Sequence, residues 1–180
     1  GVFVGIDQFY FITKRWGKAH VVDTFATKFS LIIKQLRLDQ LVFNTSKSLL
    51  MGDIILNLDP KTGFGDFGDK VNWDLKLNLG SQLSGYDLSY FVSNWDNYKP
   101  INMSGNLTGP LNKMALDNFY IKSDDINLHS KHLKIEDVLN GKFYIQSNDL
   151  SADFTYKSLK GILPTFISSK LGNFADDFGR

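Results

Sequence analysis

Cysteine is absent from the chain, proline occurs only four times, and unbroken apolar runs such as Leu31-Ile32-Ile33 are short. Without cysteine there is no disulfide scaffold, no thiolate metal site and no cysteine nucleophile, while oxidising and reducing compartments both stay open. The short runs fall far below the roughly 18 apolar residues of a membrane-spanning helix, and no basic-then-apolar signal peptide opens the chain. A formal net charge of +1 gives no electrostatic reason to expect nucleic acid. The sequence also lacks a GxSxG nucleophile elbow, HExxH, a P-loop and an EF-hand, so no catalytic residue and no cofactor is assigned and the chain is read as a non-enzyme.

What is present is apolar and aromatic. Fifteen Phe residues among 180 argue against disorder and for a strand-rich fold. The clearest stretch runs from Lys70 to Gly80. Val71, Trp73, Leu75, Leu77 and Leu79 fall on one side of an extended chain, and Lys70, Asn72, Asp74, Lys76 and Asn78 on the other. Leaving five large apolar side chains in water would cost on the order of 10 kcal/mol, so something must cover that face.

The same alternation marks further strands at 2–12, 29–38, 41–43, 52–59, 101–109, 116–122, 126–130, 133–135 and 142–147. Leu88, Phe91, Val92 and Trp95 change to helical spacing, with Asp87 as the expected cap, and Leu159 to Ile167 return to it. Asp87-Leu88-Ser89 and Asp149-Leu150-Ser151 suggest an internal repeat, with units of roughly 41–100 and 101–172 in one continuous segment. The patterns at both ends read as interrupted, so the chain is expected to be an internal piece of a longer protein.

Several motifs have bland explanations. Gly63-Phe64-Gly65-Asp66-Phe67-Gly68 matches a dinucleotide fingerprint by letter but opens a strand instead of a helix, so it is read as a loop. His129 and His132 are three apart, on opposite faces of an extended chain, and no metal is assigned. The pairs Asp124-Asp125, Glu136-Asp137 and Asp176-Asp177 are read as solvated turns.

Three passages carry a family resemblance: GDFGDKVNWDLKLNLGSQLSGYDLSYFVSNW, INMSGNLTGPLNKMALDNFYIKS, and the DLSADF run with the helical stretch after it. Their order resembles the Bacteroidota-type TamB proteins of the AsmA-like, repeating β-groove superfamily. Asp87, Leu88 and Phe91 match that family's helix element. Gly105, Gly109, Leu111 and Leu116 match its re-entry element with altered spacing. The resemblance spans about residues 41–180.

It implies an elongated, curled antiparallel sheet with a few short amphipathic helices, located in the periplasm and anchored to the inner membrane by a helix outside this window. It also implies a role in phospholipid transport and outer-membrane biogenesis, with a TamA-class outer-membrane barrel met through another part of the chain. The expected groove lining, in contact with phospholipid acyl chains, is Ile54, Leu56, Leu58, Val71, Trp73, Leu75, Leu77, Leu79, Ile101, Met103, Leu107, Phe119, Ile121, Phe143 and Ile145. The competing expectation is a closed β-sandwich, serving as an interaction or carbohydrate-binding module of an exported protein.

Overall fold

The computed structural model of the chain describes residues 1–15, 17–89, 100–124, 126–137, 144–155 and 157–158. Strands follow one another as β1 (Val2–Arg15), β2 (Lys18–Ile32), β3 (Gln35–Thr45), β4 (Leu49–Asn57) and β5 (Asn72–Ser84). The short helix α1 (Gly85–Leu88) comes next, then β6 (Pro100–Gly109), β7 (Lys113–Ser123), β8 (Ile126–Glu136), β9 (Tyr144–Ser147) and β10 (Ser151–Phe154). From β1 to β8 each strand pairs antiparallel with its successor. β10 lies against Ile126–His129 of β8, and β9 against Leu133–Glu136 of the same strand. The result is the expected elongated, curled antiparallel sheet, open rather than closed into a barrel. Substantial packing joins only strands that are paired in the sheet, together with α1 on β5. Among the described residues no second sheet lies on the first, which is the packing a sandwich requires.

The elements differ from the sequence reading in ways that have local causes. The run 29–38 is not one strand: the chain reverses at Ile33-Lys34, setting Ile32 opposite Gln35 and Leu31 opposite Leu36. The change of parity there marks a two-residue hairpin without a turn-type residue. The first half of β2 escapes the alternation test because its pairing with β3 shifts register between Val22 and Thr24 and again between Ala26 and Lys28. Runs 126–130 and 133–135 join as the single strand β8. The helix begins earlier than expected: Ser84 is its N-cap, its side chain accepting from the Tyr86 amide, and Asp87 lies inside the first turn. Phe91, Val92, Trp95, Phe143 and the stretch Leu159 to Ile167 lie outside the described residues. Just before that stretch, Thr155 and Ser158 bond reciprocally through hydroxyl and amide, as at a helix start.

A line of irregularities crosses the sheet at mid-strand. Gln40 (φ 55°), Gly52 (φ 154°), Gly80 (φ 90°), Gly105 (φ 126°) and Asn118 (φ 47°) each sit at or beside a break in regular pairing. Extra residues of this kind bend a strand and raise its twist; here they fall on β3, β5 and β7, with Gly52 of β4 and Gly105 of β6 facing them, so the sheet is creased along one line. At Gly105 a Cβ would stand 2.8 Å from the Asn118 carbonyl oxygen and 2.8 Å from the Phe119 Cα, so the close approach of β6 to β7 requires glycine. On β5 the extra residues sit between Leu77 and Ser81. Ser81 Oγ there accepts from Met51 N at 3.1 Å and donates to Met51 O at 3.1 Å, replacing the missing ladder.

Little of this sheet is enclosed. The largest fully buried side chains among the described residues are Val71, Ser81, Ser84 and Ser130. Ile101 and Ile126 form a small buried cluster, with Met103 and Ile121 packed against it.

Candidate functional site

Directly opposed residues of antiparallel strands share a face, so the register assigns side chains to faces. One row crosses eight strands: Val4, Phe29, Leu38, Ile54, Leu75, Leu107, Leu116 and Leu133, each opposite the next. At about 4.8 Å between strands it extends roughly 34 Å with no polar member. A parallel row runs Val2, Leu31, Leu36, Leu56 and Trp73 to Gly109. On the other side of the first row, Leu77 stands between Gly52 and Gly105, which leaves room beside its side chain. Across the crease Met103 opposes Ile121, and Ile121 opposes Leu128. Phe67 from the β4–β5 loop meets Trp73 edge-on at 5.4 Å between ring centroids.

The other face is mainly polar, although Ile55 sits on it between Arg37 and Asp74 and Phe3 opposite Ser30. Asp53, Lys76, Asn106, Asp117 and His132 form a row across five strands, and His132 Nδ1 lies 2.6 Å from Asp117 Oδ1. Arg37 pairs with Asp39 at 2.9 Å on this side. That hydrogen bond first, and the Asp39 charge second, hold the guanidinium even more firmly protonated than usual.

The expected lining residues therefore divide. Ile54, Leu56, Trp73, Leu75, Leu77 and Leu107 lie on the shared apolar face, with Met103 and Ile121 beyond the crease and Phe119 two residues from Ile121. Ile101 is turned into the small cluster with Ile126. Val71 is fully enclosed ahead of β5, so it is core and not exposed wall. Leu79 falls among the extra residues of the β5 irregularity and is 81% exposed, outside the ladder. Leu58 follows β4, its amide bonded to Lys34 O. Ile145 opposes Ile135 at the margin of the sheet. Gly63 to Gly68 form the β4–β5 loop. No group of three His, Cys, Asp or Glu placed to hold a metal occurs among the described residues.

Sequence reading missed a buried polar cluster beneath α1. Asp87 Oδ2 accepts from Ser48 Oγ at 2.6 Å and Thr45 Oγ1 at 2.7 Å, and Asp87 Oδ1 lies 3.6 Å from His20 Nδ1. Ser48 Oγ accepts from Ser84 N, and Tyr86 OH donates to Ala19 O. Serine, histidine and aspartate meet here, but the serine hydroxyl donates to the aspartate and not to the histidine. The order needed for an activated nucleophile is thus missing, and the cluster ties α1 to β2 and to the β3–β4 turn. The second copy of the Asp-Leu-Ser motif does similar work. Asp149 accepts from Ser130 Oγ at 3.0 Å and Lys131 N at 2.9 Å. The sequence signals at the motif, its repetition and the expected capping role of Asp87, carried no hint of these partners.

Fold and face together define an open, amphipathic, single-layer antiparallel sheet. Comparison with family models, curated proteins and solved structures returns no match.

Proposed function

We propose that the chain is a segment of a periplasmic hydrophobic conduit of the TamB-like, repeating β-groove kind. It carries phospholipid between the inner and outer membranes and serves outer-membrane biogenesis, with no catalysis of its own. A membrane anchor and contact with a TamA-class barrel belong to other parts of such a protein. The observation that carries this reading is the row from Val4 to Leu107, an apolar stripe that stays at least partly accessible on one face of an open sheet before the row becomes buried at Leu116 and Leu133. An apolar surface of that extent marks a binding site. Acyl chains are its natural complement, because they supply continuous apolar cover and ask for no hydrogen bonds. The polar row on the reverse face keeps the other surface in water.

The test is phospholipid co-purifying with the protein, measured by mass spectrometry, in the wild type and in Leu75→Gln and Leu107→Gln. Both variants are expected to lose most of the lipid while keeping the β-sheet circular dichroism spectrum, whereas Lys76→Gln on the polar face keeps wild-type occupancy. Lipid retained at wild-type levels in both leucine variants would overturn the reading. A wild type that carries no lipid would do the same.

A further inference from the structure

We propose that β1 is a self-association edge: two copies of the chain pair β1 with β1, antiparallel about a twofold axis, and form one continuous sheet. The pairing needs no lipid and goes beyond the conduit reading. β1 pairs with β2, and among the described residues no strand lies against its other side. Natural sheets guard such edges with short strands, lysine or proline. The far margin follows that rule, since β9 and β10 are four residues each. β1 does not. It is 14 residues long, holds no proline, and between Val2 and Thr13 carries one charge, Asp7.

Both faces of β1 are apolar. Val2 and Val4 open the two apolar rows, and Phe9 rejoins their face through Phe25, Phe43 and Leu50, with Phe11 beside it at 5.6 Å between ring centroids. On the reverse face stand Phe3, Tyr10 and Ile12, each more than half exposed. The strands further in carry mainly polar groups there. Such a strand asks for cover along its edge and on both sides of it.

A second copy supplies that cover because the strand matches itself. Its bulge places an extra residue at Asp7-Gln8, between Ile6 and Phe9. An extra residue inverts the in–out alternation, so even-numbered positions before the bulge share a face with odd-numbered positions after it. A twofold axis through Asp7-Gln8 therefore sets like faces together. Val4 of one copy opposes Phe11 of the other, and Ile6 opposes Phe9, on the apolar side; Phe3 opposes Ile12 on the reverse. Tyr10 of each copy covers Gly5 of the other, where a Cβ would find nothing within 4 Å. Asp7 meets Gln8, no like charges are opposed, and Lys14 and Arg15 fall beyond the last pair, Val2 with Thr13. Shifting the register by one residue opposes unlike faces, and in one direction sets Asp7 against Asp7. A shift of two sets Asp7 against Ile6 or Lys14 against Phe3. A bulge ordinarily turns an edge away from association, but here it meets its own copy at the axis. The axis stands perpendicular to the sheet, so both apolar faces lie on one side.

The experiment is sedimentation equilibrium of the protein, with disulfide trapping to read the register. The expected result is a monomer–dimer equilibrium, about fivefold weaker in Gln8→Asp, which opposes carboxylates twice across the axis, and about fivefold tighter in Gln8→Lys. Gln146→Asp, exposed on β9, is expected to dimerise as the wild type does. The chain has no cysteine, so introduced cysteines each report one contact. A mixture of Phe3→Cys and Ile12→Cys is expected to form the mixed disulfide dimer on oxidation, and a mixture of Phe3→Cys and Phe11→Cys, on opposite faces, is not. A protein that stays monomeric at every concentration overturns the pairing, and is the result expected if a strand from elsewhere fills this edge. Growth into open polymers, an equal loss in Gln146→Asp, the same response to both Gln8 variants, or equal disulfide yield in the two mixtures would each overturn it as well.

Discussion

Ser48 and Asp87, 39 residues apart in sequence, meet in a buried 2.6 Å hydrogen bond that fixes α1 to the turn between β3 and β4. Replacing Asp87 with Ala removes the acceptor for both Ser48 and Thr45 and leaves their hydroxyls, and the His20 ring, enclosed without it. The expected cost is about 3 kcal/mol, with Asp87→Asn intermediate, read as a shift of the urea midpoint at unchanged slope.

Gly105→Ala is expected to destabilise by about 1–3 kcal/mol, since its backbone lies at φ 126° and the added methyl would press on the Asn118–Phe119 backbone. Gly5→Ala is the matched control. Nothing lies within 4 Å of its would-be Cβ, so its thermal midpoint should stay close to that of the wild type.

Asp149 supplies a pH dependence. Burial works to raise its pKa, but bonds from the Lys131 amide, Ser130, the His132 amide and Ser147 outweigh that and hold the carboxyl below the usual range. A carboxyl lowered in the folded state stabilises the fold above its unfolded pKa of about 3.9, and that contribution is lost as pH falls through the folded value. The gap in thermal midpoint between wild type and Asp149→Asn should therefore be steady near neutrality and shrink below about pH 4.

Phe3 is 75% exposed on the outermost strand, where unpaired backbone invites association. Phe3→Lys should change stability by no more than about 0.5 kcal/mol and reduce self-association in analytical ultracentrifugation. Leu116→Lys, at a position only 3% exposed, should instead cost several kilocalories and unfold much of the sheet.

The strands around Leu75 were legible because nothing interrupts their alternation: Ile54, Leu75 and Leu107 were each placed on an apolar face, and the register sets them side by side. β2 was illegible in its first half because the extra residue Asp23, between Val22 and Thr24, resets the parity that a period-two reading depends on. The turn at Ile33-Lys34 was hidden for a different reason, since it uses none of the residues that ordinarily announce a reversal. Val71 and Leu79 looked equivalent to Leu75, yet one precedes the strand and is enclosed, and the other is displaced where β5 departs from its neighbours. The polar cluster depends on long-range pairing of Thr45, Ser48 and His20 with Asp87, for which local spacing holds no signal.

The meander has one more consequence, for size. Since the apolar row advances one strand at a time, the reach of the surface is counted in strands and not in residues per strand. Inserting or deleting one hairpin would alter that reach by about 10 Å while preserving chain direction and the in–out alternation on either side. Length in such a molecule is thus a modular quantity, adjustable at a margin without redesigning what lies beyond it.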